Sequence, residues 1–232
     1  MPLHPIPGFS DPFASLSHLF GALLFLAMSF VLVRRGAGSA ARVISLVIFS
    51  FGAIFLLSIS GTYHLLDPEG AARRLMRVLD HAAIFVLIAC SFTPIHVILF
   101  RGVGRWGALL VIWTFAVVAI ICKSVYFYTM PEWLGLALYL GMGWIGLASG
   151  LALYRHYGFA FVAPILWGGL AYSIGALLDH MKWPVLLPGM VRAHEVFHLA
   201  VLMGLAFHWS FIYSIADGRV SPEIRRDASP AA

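Results

Sequence analysis

The sequence predicts an all-α fold, a polytopic membrane protein built as a seven-transmembrane helix bundle. Three observations carry that expectation. The chain of 232 residues is 61% hydrophobic and 11% charged, whereas soluble domains are about 45–50% apolar and about 25% charged. Asp, Glu, Lys and Arg are absent from residues 12–33, 43–66, 81–100, 106–122, 133–154, 156–178 and 196–216. A helix crossing about 30 Å of hydrocarbon needs about 20 residues, within a range of about 17–25, so all seven runs are long enough. Finally, the runs are apolar on every side, whereas strands of a lipid-facing barrel alternate over roughly 10 residues.

Residues 1–14 form an N-terminal segment whose opening, MPLHPIPGF, is broken by proline and carries no Lys or Arg. That is unlike a secretory signal, so the first helix is expected to be retained. The second helix closes on Ser60-Gly-Thr-Tyr-His64, with Pro68 beyond it, and the third is expected to begin at Asp80. Pro94 and Pro164 are expected to kink the third and sixth helices. Cys90 and Cys122 supply neither a disulfide framework nor a paired metal motif and read as packing residues. Pro131 precedes the fifth helix, where Gly135, Gly141, Gly143, Gly146 and Gly150 allow close helix approach. Pro184 and Pro188 precede the seventh. The bundle occupies residues 15–217, and residues 218–232 form a tail that reads from Ser221 as a frayed, charged end. Short connections leave no room for a soluble domain.

The formal charge of +5 would suggest nucleic acid in a soluble protein. Here the basic residues fall in the connections, where they read as headgroup contacts and topology signals, and no nucleic-acid partner is expected. Six Lys and Arg fall on the side of the N-terminus: Arg73, Arg74, Arg77, Lys123, Lys182 and Arg192. The opposite side has nine, three of them in the tail. The count leans toward a cytoplasmic C-terminus and leaves the orientation open.

With seven spans, the end of the second helix and the starts of the third and seventh share the N-terminal side. Topology thus brings His64, Asp80, His194 and His198 to similar depth. His194 and His198 are four residues apart, which puts both imidazoles on one helical face about 6 Å apart along the axis, a chelating spacing. Ser60 and His64 repeat it. Three His around one ion, with a fourth position for water, is the pattern of catalytic rather than structural zinc. Zinc lowers the pKa of a bound water from about 15.7 to near 7, and Asp80 is placed to hold that water or take its proton. Taken singly, each His also reads as an interfacial hydrogen bonder and Asp80 as a helix-start residue.

At these residues the sequence resembles the progestin and adipoQ receptor family, and most closely its bacterial hemolysin III branch. The matching pieces are SGTYHLL (60–66), LDHAAIFVLIACSFTP (79–94) and HEVFHLAVLMG (194–204), in that order. The resemblance implies a seven-helix fold with a Zn2+ site in the bacterial inner membrane. His64, His194 and His198 would be the metal ligands, Asp80 the aspartate that meets the metal through water, and Ser60 the motif serine. The wider superfamily includes alkaline ceramidases, which implies hydrolysis of a lipid amide. Receptor members of the family place the N-terminus and zinc toward the cytoplasm, the reverse of the charge count.

Other polar residues have plainer readings. Asp179-His180 closes the sixth helix on the metal side, either as an interfacial pair, which is preferred, or as a partner to a ligand. Glu195 is about 100° around the helix from His194 and a poor fourth ligand. His208 lies about 15 Å deeper than His198, and His18 and His96 read as hydrogen bonders within the bundle. Trp106, Trp133, Trp183 and Trp209 fit aromatic belts or packing. The favoured function is a metal-dependent hydrolase acting on a lipid amide or ester. The alternatives are a sensor or regulator of membrane state with structural zinc, a haemolytic pore, and, least favoured, a bis-His haem or quinone carrier.

Overall fold

The computed structural model describes residues 10–188 and 190–220. The MPLHPIPGF opening and the tail from Ser221 lie outside the described residues. The helices are α1 (Pro12–Arg35), α2 (Ala40–Leu65), α3 (Ala71–Leu99), α4 (Gly102–Val125), α5 (Glu132–Trp144), α6 (Gly146–Tyr157), α7 (Phe159–Met181) and α8 (Ala193–Ile215). They make seven spans long and apolar enough to cross a membrane, with no strand among the described residues beyond a single bridge between Leu187 and Val191.

Two boundaries differ from expectation. The fifth span is two helices, α5 and α6, interrupted at Ile145, which keeps helical dihedrals. Gly141, Gly143 and Gly146 surround the break, and glycine is the weakest helix former after proline. Helix α3 begins at Ala71 rather than Asp80. Asp80 bounds the apolar run, but the Arg, Leu and Met residues before it are good helix formers, so the helix starts earlier and Asp80 sits within it.

Successive spans pack side by side, and α1 closes the bundle against α8. Helix α3 also reaches α5 and α8, which makes it the innermost element, with most of its apolar window buried. One core includes Phe49, Leu57, Leu205 and Ile212, and a second, where α3, α4 and α5 meet, includes Phe85, Ile112 and Met142. Phe20, Leu23, Phe30 and Leu110 point outward, as lipid-facing side chains must. Small residues set the helix spacing. A Cβ on Gly52 would fall 2.5 Å from Cys90 Cβ, and one on Gly61 2.7 Å from Leu19 Cγ. Cys90 is therefore a packing residue, and both cysteines are free. Trp106, Trp133 and Trp183 are exposed near helix ends, whereas Trp209 stacks on Tyr213.

Candidate metal centre

The centre begins with a backbone problem at the end of α2. The last carbonyls of a helix have no partner within it, and here the start of α1 supplies several. Asp11 N–H donates to the His64 carbonyl at 3.0 Å, Ser15 Oγ to Gly61 O at 2.8 Å, and Ser10 Oγ to Leu66 O at 2.7 Å. Arg73, from the first turn of α3, donates to Leu66 O at 2.5 Å and to Asp11 Oδ2 at 2.6 Å. Its guanidinium lies over the Tyr63 ring. Pro12 occupies the first turn of α1, where its missing N–H costs nothing. Three helix ends are thus tied together around His64.

The start of α8 is fixed by its own side chain, since Glu195 Oε2 accepts the Arg192 N–H at 2.8 Å. Glu195 is buried in this cap and is no ligand. One turn then carries His194 and His198 onto the face opposite His64. His194 Nε2 lies 3.1 Å from His64 Nε2 and 3.2 Å from His198 Nε2. The ligand atoms of all three lie within 4.8 Å of one another, so this cluster could hold a metal ion.

Carboxylates behind the rings set their tautomers. His64 Nδ1 donates to Asp11 Oδ2 at 2.9 Å, and His194 Nδ1 lies 3.4 Å from Asp179 Oδ1. A neutral imidazole with its proton on Nδ1 presents a lone pair at Nε2. With both protons on Nδ1, the Nε2 lone pairs of buried His64 and half-buried His194 would face each other at 3.1 Å, an arrangement that a cation between them would satisfy. Ligands about 2.0–2.1 Å from a tetrahedral zinc stand about 3.3 Å apart, close to the two spacings about His194, while the cluster as a whole extends to 4.8 Å. The donor set and its spacing fit such an ion. Burial alone would raise the pKa of Asp11. The hydrogen bonds and charges of His64 and Arg73 outweigh it and hold the carboxyl below its ordinary 3.8.

His18 of α1 stacks on His198 with ring centroids 3.8 Å apart. Its place is as a packing platform for a candidate ligand ring, with one long contact of 3.4 Å from Nε2 to the His198 carbonyl. His96 is a hydrogen bonder within the bundle, meeting Ser149 Oγ at 2.9 Å. His208 stands apart from the cluster beside Ile165 and Tyr172.

Asp80 lies outside the three-histidine cluster but within electrostatic reach of His194. Its carboxylate lies 3.9 Å from His81 Nδ1. Ser60 is buried on α2, one turn before His64. His194 is the partly open member, with 34% of its side chain exposed, so access to the cluster is from its side. The interfacial reading preferred for Asp179 gives way, because its carboxylate faces a candidate ligand. Asp11 carries no motif of its own, and its only signal was its position on the membrane side shared by the histidines.

The model of the haemolysin-III related family matches residues 9–209, a stretch containing Asp11 and all three histidines. The chain belongs to this family. It is 30% identical over 197 residues to Hemolysin-3 of Bacillus cereus, covering 83% of this chain and 85% of the relative. It is 27% identical over 194 residues to a Hemolysin-3 homolog of Bacillus subtilis, covering 83% and 87%. A heptahelical transmembrane protein of Oryza sativa subsp. japonica is 32% identical over 187 residues, covering 70% of this chain and 78% of its own. The seven spans and the bacterial haemolysin III relatives make it an integral protein of the bacterial plasma membrane.

Proposed function

We propose that this haemolysin III-related protein is a zinc-dependent hydrolase acting on an amide or ester bond of a membrane lipid. The observation that carries the proposal is the convergence of three imidazole nitrogens at metal-ligand spacing, two of them backed by carboxylates. His64, His194 and His198 would hold the ion, with Asp11 and Asp179 orienting the first two. A zinc ion bound by three imidazoles supplies a Lewis acid and lowers the pKa of water at its open position to about 7.

This chain's own groups do the rest. Asp80, not engaged as a ligand yet within electrostatic reach of His194, is the general base and later passes the proton to the leaving amine or alkoxide. Ser60 donates a hydrogen bond to the polar atoms at the reacting centre. The buried floor formed by His18 and His198 excludes bulk water, while the half-open edge at His194 admits substrate. A lipid is the matching substrate class because the cluster lies where three spans end, and a lipid brings its headgroup linkage to the ends of spans.

The test is turnover of ceramide, lysophospholipid and diacylglycerol panels by metal-loaded protein in nanodiscs. Wild type releases fatty acid from at least one class. His198→Ala loses both metal and turnover, and Asp80→Asn keeps the metal but loses turnover by a factor of about 10²–10⁴. Full metal occupancy without hydrolysis of any class refutes the catalytic reading and favours a metal that only ties α2 to α8.

A further inference from the structure

A second polar cluster lies on the histidine side of the bundle, where α3, α4 and α5 meet, and the metal centre makes no use of it. Lys123, in the last turn of α4, is only 6% exposed, and its ammonium lies over the Phe127 ring at 5.0 Å. Arg77 of α3 lies over the same ring at 5.5 Å, and His81 meets it in a T-shaped contact. Two cations thus share one aromatic ring. Among the described residues, neither has an ion-pair partner. Glu132, at the start of α5, is within electrostatic reach of Lys123 but not at contact distance. Asp80 faces His81.

Gly135 leaves the space that Lys123 fills, since a Cβ there would fall 3.2 Å from Nζ. Close by, the Tyr139 hydroxyl is buried with no hydrogen-bond partner among the described residues. A largely buried lysine without a counter-ion and a buried hydroxyl without a partner both carry a desolvation cost that an anionic ligand offsets.

Beside this cluster runs an apolar groove of about 490 Å³ between α4 and α5, lined by Phe115, Val118, Cys122, Met130, Leu134 and Leu138 among others. Cys122 adjoins Lys123, and Phe115 lies eight residues back along α4, so the groove descends about 12 Å into the hydrocarbon layer. Lys123, Gly135 and Tyr139 each follow a lining residue of this groove, Cys122, Leu134 and Leu138, so the cationic cluster flanks the groove at its mouth, a pairing of charge and apolar surface that suits a phospholipid.

We propose that the α4–α5 face binds one anionic glycerophospholipid, with its phosphate against Lys123 and Arg77 and an acyl chain in the groove. A zwitterionic lipid brings the same phosphate but adds its own ammonium to a cluster that already has two unpaired cations, so net negative charge is selected. This site is separate from the histidines and does not depend on hydrolysis.

The test uses the full chain in detergent with phosphatidylglycerol or phosphatidylcholine of identical chains, read by native mass spectrometry and thermal shift. Wild type retains phosphatidylglycerol in preference. Lys123→Gln and Arg77→Gln each lower that preference about fivefold, the factor that one cation near a membrane surface contributes. Val118→Trp fills the groove from an exposed wall position and lowers retention of both lipids. Zinc content stays at the wild-type level in all three, which separates a lost lipid site from a lost fold or metal centre. Equal retention of the two lipids by wild type overturns the proposal, as does unchanged preference in both cation variants. So does a full thermal shift from inorganic phosphate alone. Should Lys123→Gln fail to fold, the exposed Arg77 and Val118 positions decide the matter.

Discussion

Replacing Asp11 with Asn would separate the carboxylate's charge from its shape. Asn keeps a carbonyl oxygen able to accept from His64 Nδ1, but loses the negative charge that favours a lone pair at Nε2. It also breaks the 2.6 Å ion pair with Arg73. Loss of such an outer partner typically lowers metal affinity 10–100-fold, about 1.4–2.8 kcal/mol. Here Arg73 already draws on the charge of Asp11, so less of it reaches His64 and the Asn variant belongs near tenfold. Asp11→Ala removes the acceptor as well, frees the ring to rotate, and belongs near a hundredfold. Competition against a chromophoric zinc chelator in detergent reads both, with stoichiometry held at one ion per chain. Affinities of both variants within twofold of wild type would refute the claim that Asp11 fixes the tautomer of a metal ligand.

Asp179→Asn follows the same logic on His194 with a smaller effect, a few-fold, because the contact is longer at 3.4 Å and partly solvated; the same chelator titration reads it. His18→Phe preserves the stacked ring against His198 and keeps the metal, whereas a metal lost in this variant would show His18 to be a ligand. Gly52→Ala forces a Cβ to within 2.5 Å of Cys90 Cβ and costs about 1–3 kcal/mol. Gly141→Ala, with nothing within 4 Å, is neutral or slightly stabilising, and thermal unfolding in detergent compares the two. Gly61→Ala pushes Leu19 and so shifts α1 off α2, lowering both melting temperature and zinc affinity.

The spans were legible because charge is too costly in hydrocarbon to occur there by accident. The same rule misplaced the start of α3, since Asp80 ends an apolar run without ending a helix, which continues through Arg77, Arg74 and Arg73. A shared side and similar depth for His64, His194 and His198 were legible from parity, because seven spans put those helix ends together, and the i, i+4 spacing with the family-like motifs pointed to one ion. Asp11 was not, because an Asp before a proline at a helix start looks like an ordinary cap, and only the fold shows its carboxylate turned away from its own helix toward His64. Burial of Lys123 was equally hidden, since it depends on Gly135 and Phe127, which the sequence places in other elements.

X-ray absorption at the zinc edge of the purified, metal-loaded protein tests the central claim most directly. One zinc per chain, with three imidazole nitrogens and one further light atom at about 2.0–2.1 Å, is the expected result, and the imidazole signal should weaken in His64→Ala and His194→Ala. Zinc well below one per chain, or a coordination shell unchanged by either substitution, would contradict it.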